Sequence, residues 1–87
     1  MIEYNLFTEN KNLSEIEIIV NFYFIGYTII KAIGYYKGIK EKSIIIKILG
    51  DKKDIQKINL IIKSIKILNR QESILLTIRK LEAQFLW

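Results

Sequence analysis

Glu41 and Ser43 stand two residues apart, and Glu72 follows directly on Gln71. Residues two apart on a strand point to the same face, so a strand through this region sets the Glu41 carboxylate beside the Ser43 hydroxyl, next to the turn at Lys37-Gly38-Ile39-Lys40. Together with Gln71 and Glu72, at a second chain reversal, they offer carboxylate, hydroxyl and amide groups to a ligand in a cleft, with Tyr35 and Lys37 at its rim. Paired carboxylates can also run general acid–base chemistry, but nothing in the sequence raises the pKa of either one. The purely structural reading is that Glu41 balances Lys40 and Lys42, and that Gln71 and Glu72 satisfy backbone groups where a helix ends.

The residues that are missing narrow the chemistry further. Cysteine, histidine and proline are all absent, which removes disulfides, Cys/His metal sites and Cys- or His-based nucleophile pairs. Gly34 and Gly38 lack the following helix and the Lys-Ser/Thr ending of a phosphate loop. No catalytic residue and no metal ligand is expected, the cofactor is unknown, and an enzyme is the least supported class.

The chain has 87 residues, about half of them hydrophobic, and no Pro/Gly/Ser-rich linker. A single domain spanning 1–87 is expected. Net charge is +5, and it is unevenly spread: residues 1–30 carry Lys11 against four glutamates, whereas 31–87 carry thirteen cations against five anions. The longest uncharged run, Ile18 to Ile30, is interrupted by Asn21, Gly26 and Thr28, too short for a membrane-spanning helix. No basic segment precedes an apolar one at the N-terminus, so a cytoplasmic protein is expected. The excess of Ile and Lys also fits a compositional bias of the source genome.

The candidate residues need a frame. Ile2 to Thr8 alternates, with Ile2, Tyr4 and Leu6 on one face of a strand. Ser14 and Glu17 fit a capping box and Leu13 and Ile18 a hydrophobic staple, which predicts a helix from about Glu15. Its buried face is Ile16, Ile19, Val20, Tyr23 and Phe24, and Gly26 is a natural left-handed stop. Tyr27 to Tyr36 and Glu41 to Leu49 read as strands joined by a four-residue loop. Asp51 as N-cap and Asp54 in the first turn open a second helix, with Ile55, Ile58, Ile61, Ile62, Ile65 and Leu68 inward, lysines outward, and Asn69 as C-cap. Ser73 to Ile78 makes the last strand, and Leu81, Ala83, Phe85 and Trp87 continue its period of two.

This is β-α-β-β-α-β order, the split βαβ arrangement of ferredoxin-like α+β domains. The expected architecture is a two-layer sandwich: a four-stranded antiparallel sheet in the order 4-1-3-2 with two helices on one face. The central strands, first and third, are expected to run parallel through right-handed crossovers. The other sheet face is left open, yet the strands do not turn polar there: Ile45 and Leu49 alternate with Ile44, Ile46 and Ile48, and Leu75 with Ile74, Leu76 and Ile78. Large apolar patches are uncommon on monomers, so Ile45, Leu49 and Leu75 are expected at an interface between copies.

Over roughly residues 25–86 the motifs Gly26-x-Thr28, Ala32-x-Gly34-Tyr35, Gly38-x-x-Glu41-x-Ser43 and Gln71-Glu72-Ser73-Ile74-Leu75, with Phe85 near the end, resemble an uncharacterised family of small ferredoxin-like domains. Its members share a Gly-x-Thr strand, a Gly-aromatic hairpin, Glu-x-Ser and Gln-Glu-Ser-Val-Leu. They commonly have Trp at the position of Tyr35 and a longer hairpin. In element order the chain is also similar to PII-like signal proteins and the divalent-cation tolerance family; that resemblance implies trimers with small-molecule or ion sites in clefts between subunits.

The favoured function is a homo-oligomeric binding or regulatory domain with a small-molecule or protein ligand and no chemistry of its own. The alternatives are a nucleic-acid-binding module, with Lys31, Lys37, Lys40, Lys42 and the helix lysines along a phosphate backbone and Tyr27, Tyr35 and Tyr36 stacking on bases, or a mobile-element accessory protein that blocks a host protein. Against nucleic acid on the open sheet, Ile44-Ile45-Ile46 stands where RNA-binding domains of this fold carry aromatic and basic residues.

Overall fold

A computed structural model describes residues 1–86. The elements are β1 (Ile2–Glu9), α1 (Leu13–Tyr23), β2 (Thr28–Tyr36), β3 (Ile39–Gly50), a short 3-10 turn (Lys52–Asp54), α2 (Ile55–Asn69) and β4 (Leu75–Lys80). The sheet order is β2-β3-β1-β4, the expected ferredoxin-like order read from the other edge. Both neighbours of β1 run antiparallel to it, which corrects the expected parallel centre. In a split βαβ unit the crossover joins β1 to β2 and β3 to β4, and the strand inserted between each parallel pair opposes both.

Alternation decides the faces. Tyr4, Leu6, Ile44, Ile46 and Ile48 are buried against Ile16 and Val20 of α1 and Ile58, Ile61 and Ile65 of α2. Cross-strand pairing sets Tyr4 against Ile48, and Leu6 against both Ile46 and Leu76. Both helices therefore cover one face, where β-branched Ile fits the pleat of the sheet.

Several termini differ from the sequence expectation. Helix α1 starts at Leu13, after Asn12 in the left-handed region (φ 57°), so Ser14 lies inside the first turn and no capping box forms there. Ile18 is exposed and makes no staple with Leu13. The helix ends at Phe24 in an extended conformation, its N–H bonded to the Val20 carbonyl, and Gly26 does not take a left-handed φ. The hairpin turn is two residues rather than four: Tyr36 pairs with Ile39, and Lys37 (φ 51°) and Gly38 (φ 77°) are both left-handed, the signature of a type I′ turn whose twist matches the strands. Beyond Lys80 the chain has no strand structure up to Leu86, so the expected continuation through Leu81, Ala83 and Phe85 does not form; Trp87 lies outside the described residues.

Ahead of α2, the Asp54 carboxylate accepts the Asp51 N–H at 2.8 Å. A Cβ on Gly50 would come within 2.5 Å of that carboxylate, so glycine at 50 leaves room for the cap. Asn69, expected as the cap, is the last helical residue; Arg70 (φ 54°) closes the helix, with the Gln71 N–H on the Lys66 carbonyl and the Arg70 N–H on that of Ile67, a Schellman turn.

Candidate functional site: the open sheet face and the β2–β3 ribbon

The register builds the open face row by row. Ile30 pairs with Ile45, Ile45 with Phe7, and Phe7 with Leu75, so one apolar row crosses all four strands. Ile30 is 40%, Phe7 36% and Leu75 61% exposed, with Ile45 half-buried between them. Ile45, Leu49 and Leu75 thus share the face expected of them; Phe7 and Ile30 join them. Phe7 follows Ile2, Tyr4 and Leu6 on the opposite parity, and only the pairing with Ile45 and Leu75 gives it a place in the row.

On one side of this row lies a cationic stretch: Lys47, Asn5 and Thr77, then Leu49, Glu3 and Arg79. The Glu3 carboxylate is bridged by Lys47 Nζ at 3.3 Å and Arg79 Nη2 at 3.0 Å, and Glu3 itself is only 5% exposed. Burial pushes the Glu3 carboxyl up, but the Asn5 amide, the Lys47 ammonium and the Arg79 guanidinium outweigh it and hold the pKa below its usual value. Two cations share one carboxylate, so this side carries excess positive charge. Asn5 Oδ1 is buried with no hydrogen-bond partner among the described residues.

On the other side of the apolar row lie Ala32, Ser43 and Glu9, then Gly34 and Glu41. Glu41 and Ser43 do share a face, and Glu41 lines a shallow depression with Glu9, Asn10, Lys11 and Lys42. Gly34 lies next to Ser43, whose Oγ is 3.6 Å from where a Cβ would stand. Tyr35 pairs with Lys40 on the opposite face of the ribbon, away from Glu41 and Ser43. Lys37 sits at the turn with its ammonium 5.4 Å from the centre of the Tyr36 ring.

Gln71 is on the helix side and is engaged there. Its Oε1 accepts the Thr8 hydroxyl at 2.6 Å and the Asn69 amide at 3.2 Å, while its Nε2 donates to the Ser73 carbonyl at 3.3 Å. Asn12 Nδ2 donates to Asn69 Oδ1 at 3.0 Å, so one polar chain ties β1, the start of α1, the end of α2 and the approach to β4. Glu72 is exposed beside it. The structure therefore brings Glu41 and Ser43 together, and sets Tyr35 and Gln71 on the other side of the sheet.

On the turn side of Ser43, residues 39–42 of β3 have no ladder partner on β1 among the described residues; the last contacts are Glu9 with Ser43 and the Asn10 N–H on the Lys42 carbonyl. The β2–β3 ribbon continues as two strands only, from Ile33 and Lys42 to the turn. No group of three or more His, Cys, Asp or Glu that could hold a metal occurs among the described residues, and no helix there is long and apolar enough to cross a membrane.

The whole chain is similar in fold to a DUF3240 family protein from Shewanella baltica OS155, with a TM-score of 0.74 and 8% identity over 99% of this chain and 94% of that one. It is also similar to the de novo designed protein Foldit4, with a TM-score of 0.55 and 15% identity over 93% of this chain and 96% of that one. At these identities the likeness speaks for the fold alone: a small ferredoxin-like domain, shared with a protein of an uncharacterised family. Neither a protein-family model nor a curated protein sequence matches the chain.

Proposed function

We propose that this chain is a non-enzymatic, cytoplasmic binding or regulatory domain that works as a homo-oligomer, its copies meeting through the open sheet face. The observation that carries this reading is the apolar row Ile30, Ile45, Phe7 and Leu75, central on that face and flanked by opposite charge. Glu9 and Glu41 lie on one side of the row; Lys47 and Arg79, sharing Glu3, lie on the other. A two-fold axis along the row turns a second copy so that its row covers the first while its strand direction reverses. Glu9 and Glu41 of each copy then meet Lys47 and Arg79 of the other, the self-complementarity a two-fold interface requires.

Glu41 and Ser43 fall at the margin of such an interface, where a polar cleft between copies can take a small ligand. The resemblance to PII-like proteins, with their sites in subunit clefts, is in line with this reading, as is the Glu-x-Ser element of the uncharacterised small-domain family. Tyr35 and Gln71 stand at the same end of the sheet on its other side, with Glu72 next to Gln71 and Lys37 over Tyr36 at the turn.

A charge swap tests the arrangement. Arg79→Glu is expected to weaken association, measured by analytical ultracentrifugation, and adding Glu9→Lys and Glu41→Lys in the same chain is expected to restore it. Association that is indifferent to all these changes contradicts a two-fold face-to-face assembly.

A further inference from the structure

The ribbon has two chemically different faces. Pairing sets Lys31 against Ile44, Ile33 against Lys42, and Tyr35 against Lys40, so all of these side chains share the helix-side face. Lys31 stands at the base of the ribbon, level with Thr8 of β1, and Ile33, Lys42, Tyr35 and Lys40 lie beyond the end of β1; all five are exposed. The ribbon's one carboxylate, Glu41, is on the other face with Gly34, Tyr36 and Ile39. None of Lys31, Lys40 and Lys42 forms an ion pair among the described residues. Tyr35 stands at the outer end of this face, directly across from Lys40, with 70% of its surface exposed.

Three cations without an ion pair, set along one face that ends in an exposed ring, form a site with a definite preference. The cations alone would suit any polyanion. The ring adds a flat π face, and base stacking on aromatic side chains combined with a basic track is how single strands are held without sequence preference. A duplex keeps its base faces stacked inside, out of reach of Tyr35. The other tyrosines proposed for stacking are placed differently: Tyr36 is on the opposite face under Lys37, and the Tyr27 hydroxyl donates to the Glu17 carbonyl at 3.4 Å.

We propose that the helix-side face of the β2–β3 ribbon binds single-stranded nucleic acid, with Lys31, Lys40 and Lys42 on phosphates and Tyr35 stacked on a base. This site is on the far side of the ribbon from the face through which copies are proposed to meet, so it stays open in the assembly and does not depend on it.

Fluorescence anisotropy of the full chain with labelled oligo-dT and oligo-rU of about 15 nucleotides tests it. Binding is expected to weaken with salt between roughly 50 and 200 mM, with a log–log slope near about −2 for three phosphates. Replacing Lys31, Lys40 and Lys42 together by Gln should weaken binding at least about tenfold and flatten that slope. Tyr35→Ala should cost about five- to hundredfold, with Tyr35→Phe retaining most of the affinity. Replacing Lys52, Lys53 and Lys63 by Gln, on the α2 side, should leave binding unchanged. On the unaltered protein, backbone amide NMR shifts on adding oligo-dT should concentrate in residues 31–42. The proposal is overturned by no binding, by equal affinity for duplex, by equal losses in the two triple variants, by shifts centred elsewhere, or by stronger binding to phosphatidylserine vesicles or poly-glutamate than to the single strands.

Discussion

Phe7 of β1 stands directly across from Ile45 of β3, on the face of the sheet that neither helix covers. Phe7 is 36% exposed, and Ile30 and Leu75 extend the pair to both edges of the sheet. The helix layer buries the alternate residues Ile44, Ile46 and Leu6, so this second apolar layer lies outside the core that the helices cover. It is the surface through which copies are proposed to meet, and the groups that hold the fold elsewhere can be tested one at a time.

The polar chain around Gln71 supports the fold. Gln71→Ala removes the acceptor for the buried Thr8 hydroxyl and for Asn69, and buried groups left unpaired cost about 1–3 kcal/mol. Thermal unfolding should shift down by about 4–8 °C per kcal/mol in a domain of this size. An unchanged midpoint would mean that these hydrogen bonds are not holding the ends of the elements together.

Stability should depend on pH at both ends. Glu3 has a folded-state pKa below its ordinary value of 4.5, so its contribution is present above that value and is lost as pH falls through the folded pKa. Tyr4 is the opposite case: burial first, then the charges of Asp54 and Asp51, raise its pKa above 10.0, and its hydroxyl donates to the Asp51 carbonyl at 2.6 Å. That contribution is present below the unfolded pKa and lost as pH rises through the folded one. Urea midpoints across pH should fall less steeply in acid for Glu3→Gln, and less steeply in alkali for Tyr4→Phe, than for the unaltered chain; parallel profiles contradict these assignments.

The hairpin turn carries a correctable strain. Lys37 holds a left-handed φ of 51°, which disfavours a side chain by about 1–2 kcal/mol, whereas Asn-Gly is the preferred type I′ pair. Lys37→Asn should raise stability by several tenths of a kcal/mol or more, and Gly38→Ala should lower it by about 1 kcal/mol. A destabilised Lys37→Asn variant would show that the turn is not of this type in solution.

Element order, both helix faces and the outward place of Ile45, Leu49 and Leu75 were legible in the sequence, because periods of two and 3.6 report directly on which side is buried. The ends of the elements were not. Asn12, Lys37 and Arg70 take left-handed conformations that glycine would have announced, and Asn12 and Asn69 are drawn into a bond across 57 residues that no local motif records. Strand direction at the centre depends on which strand inserts between a crossover pair. Glu41 and Ser43 could be joined by spacing alone, but the separation of Tyr35 and Gln71 from them needs the register.

The molar mass of the protein by light scattering, followed over a range of concentrations for the unaltered chain and for Ile45→Lys, tests the proposed assembly most directly. The unaltered chain should exceed the 10.3 kDa of one copy, reaching about twice that value for a two-fold pair, and Ile45→Lys should remain folded at the mass of one. A chain that stays at the mass of a single copy at every concentration contradicts the assembly through the Phe7 and Ile45 face.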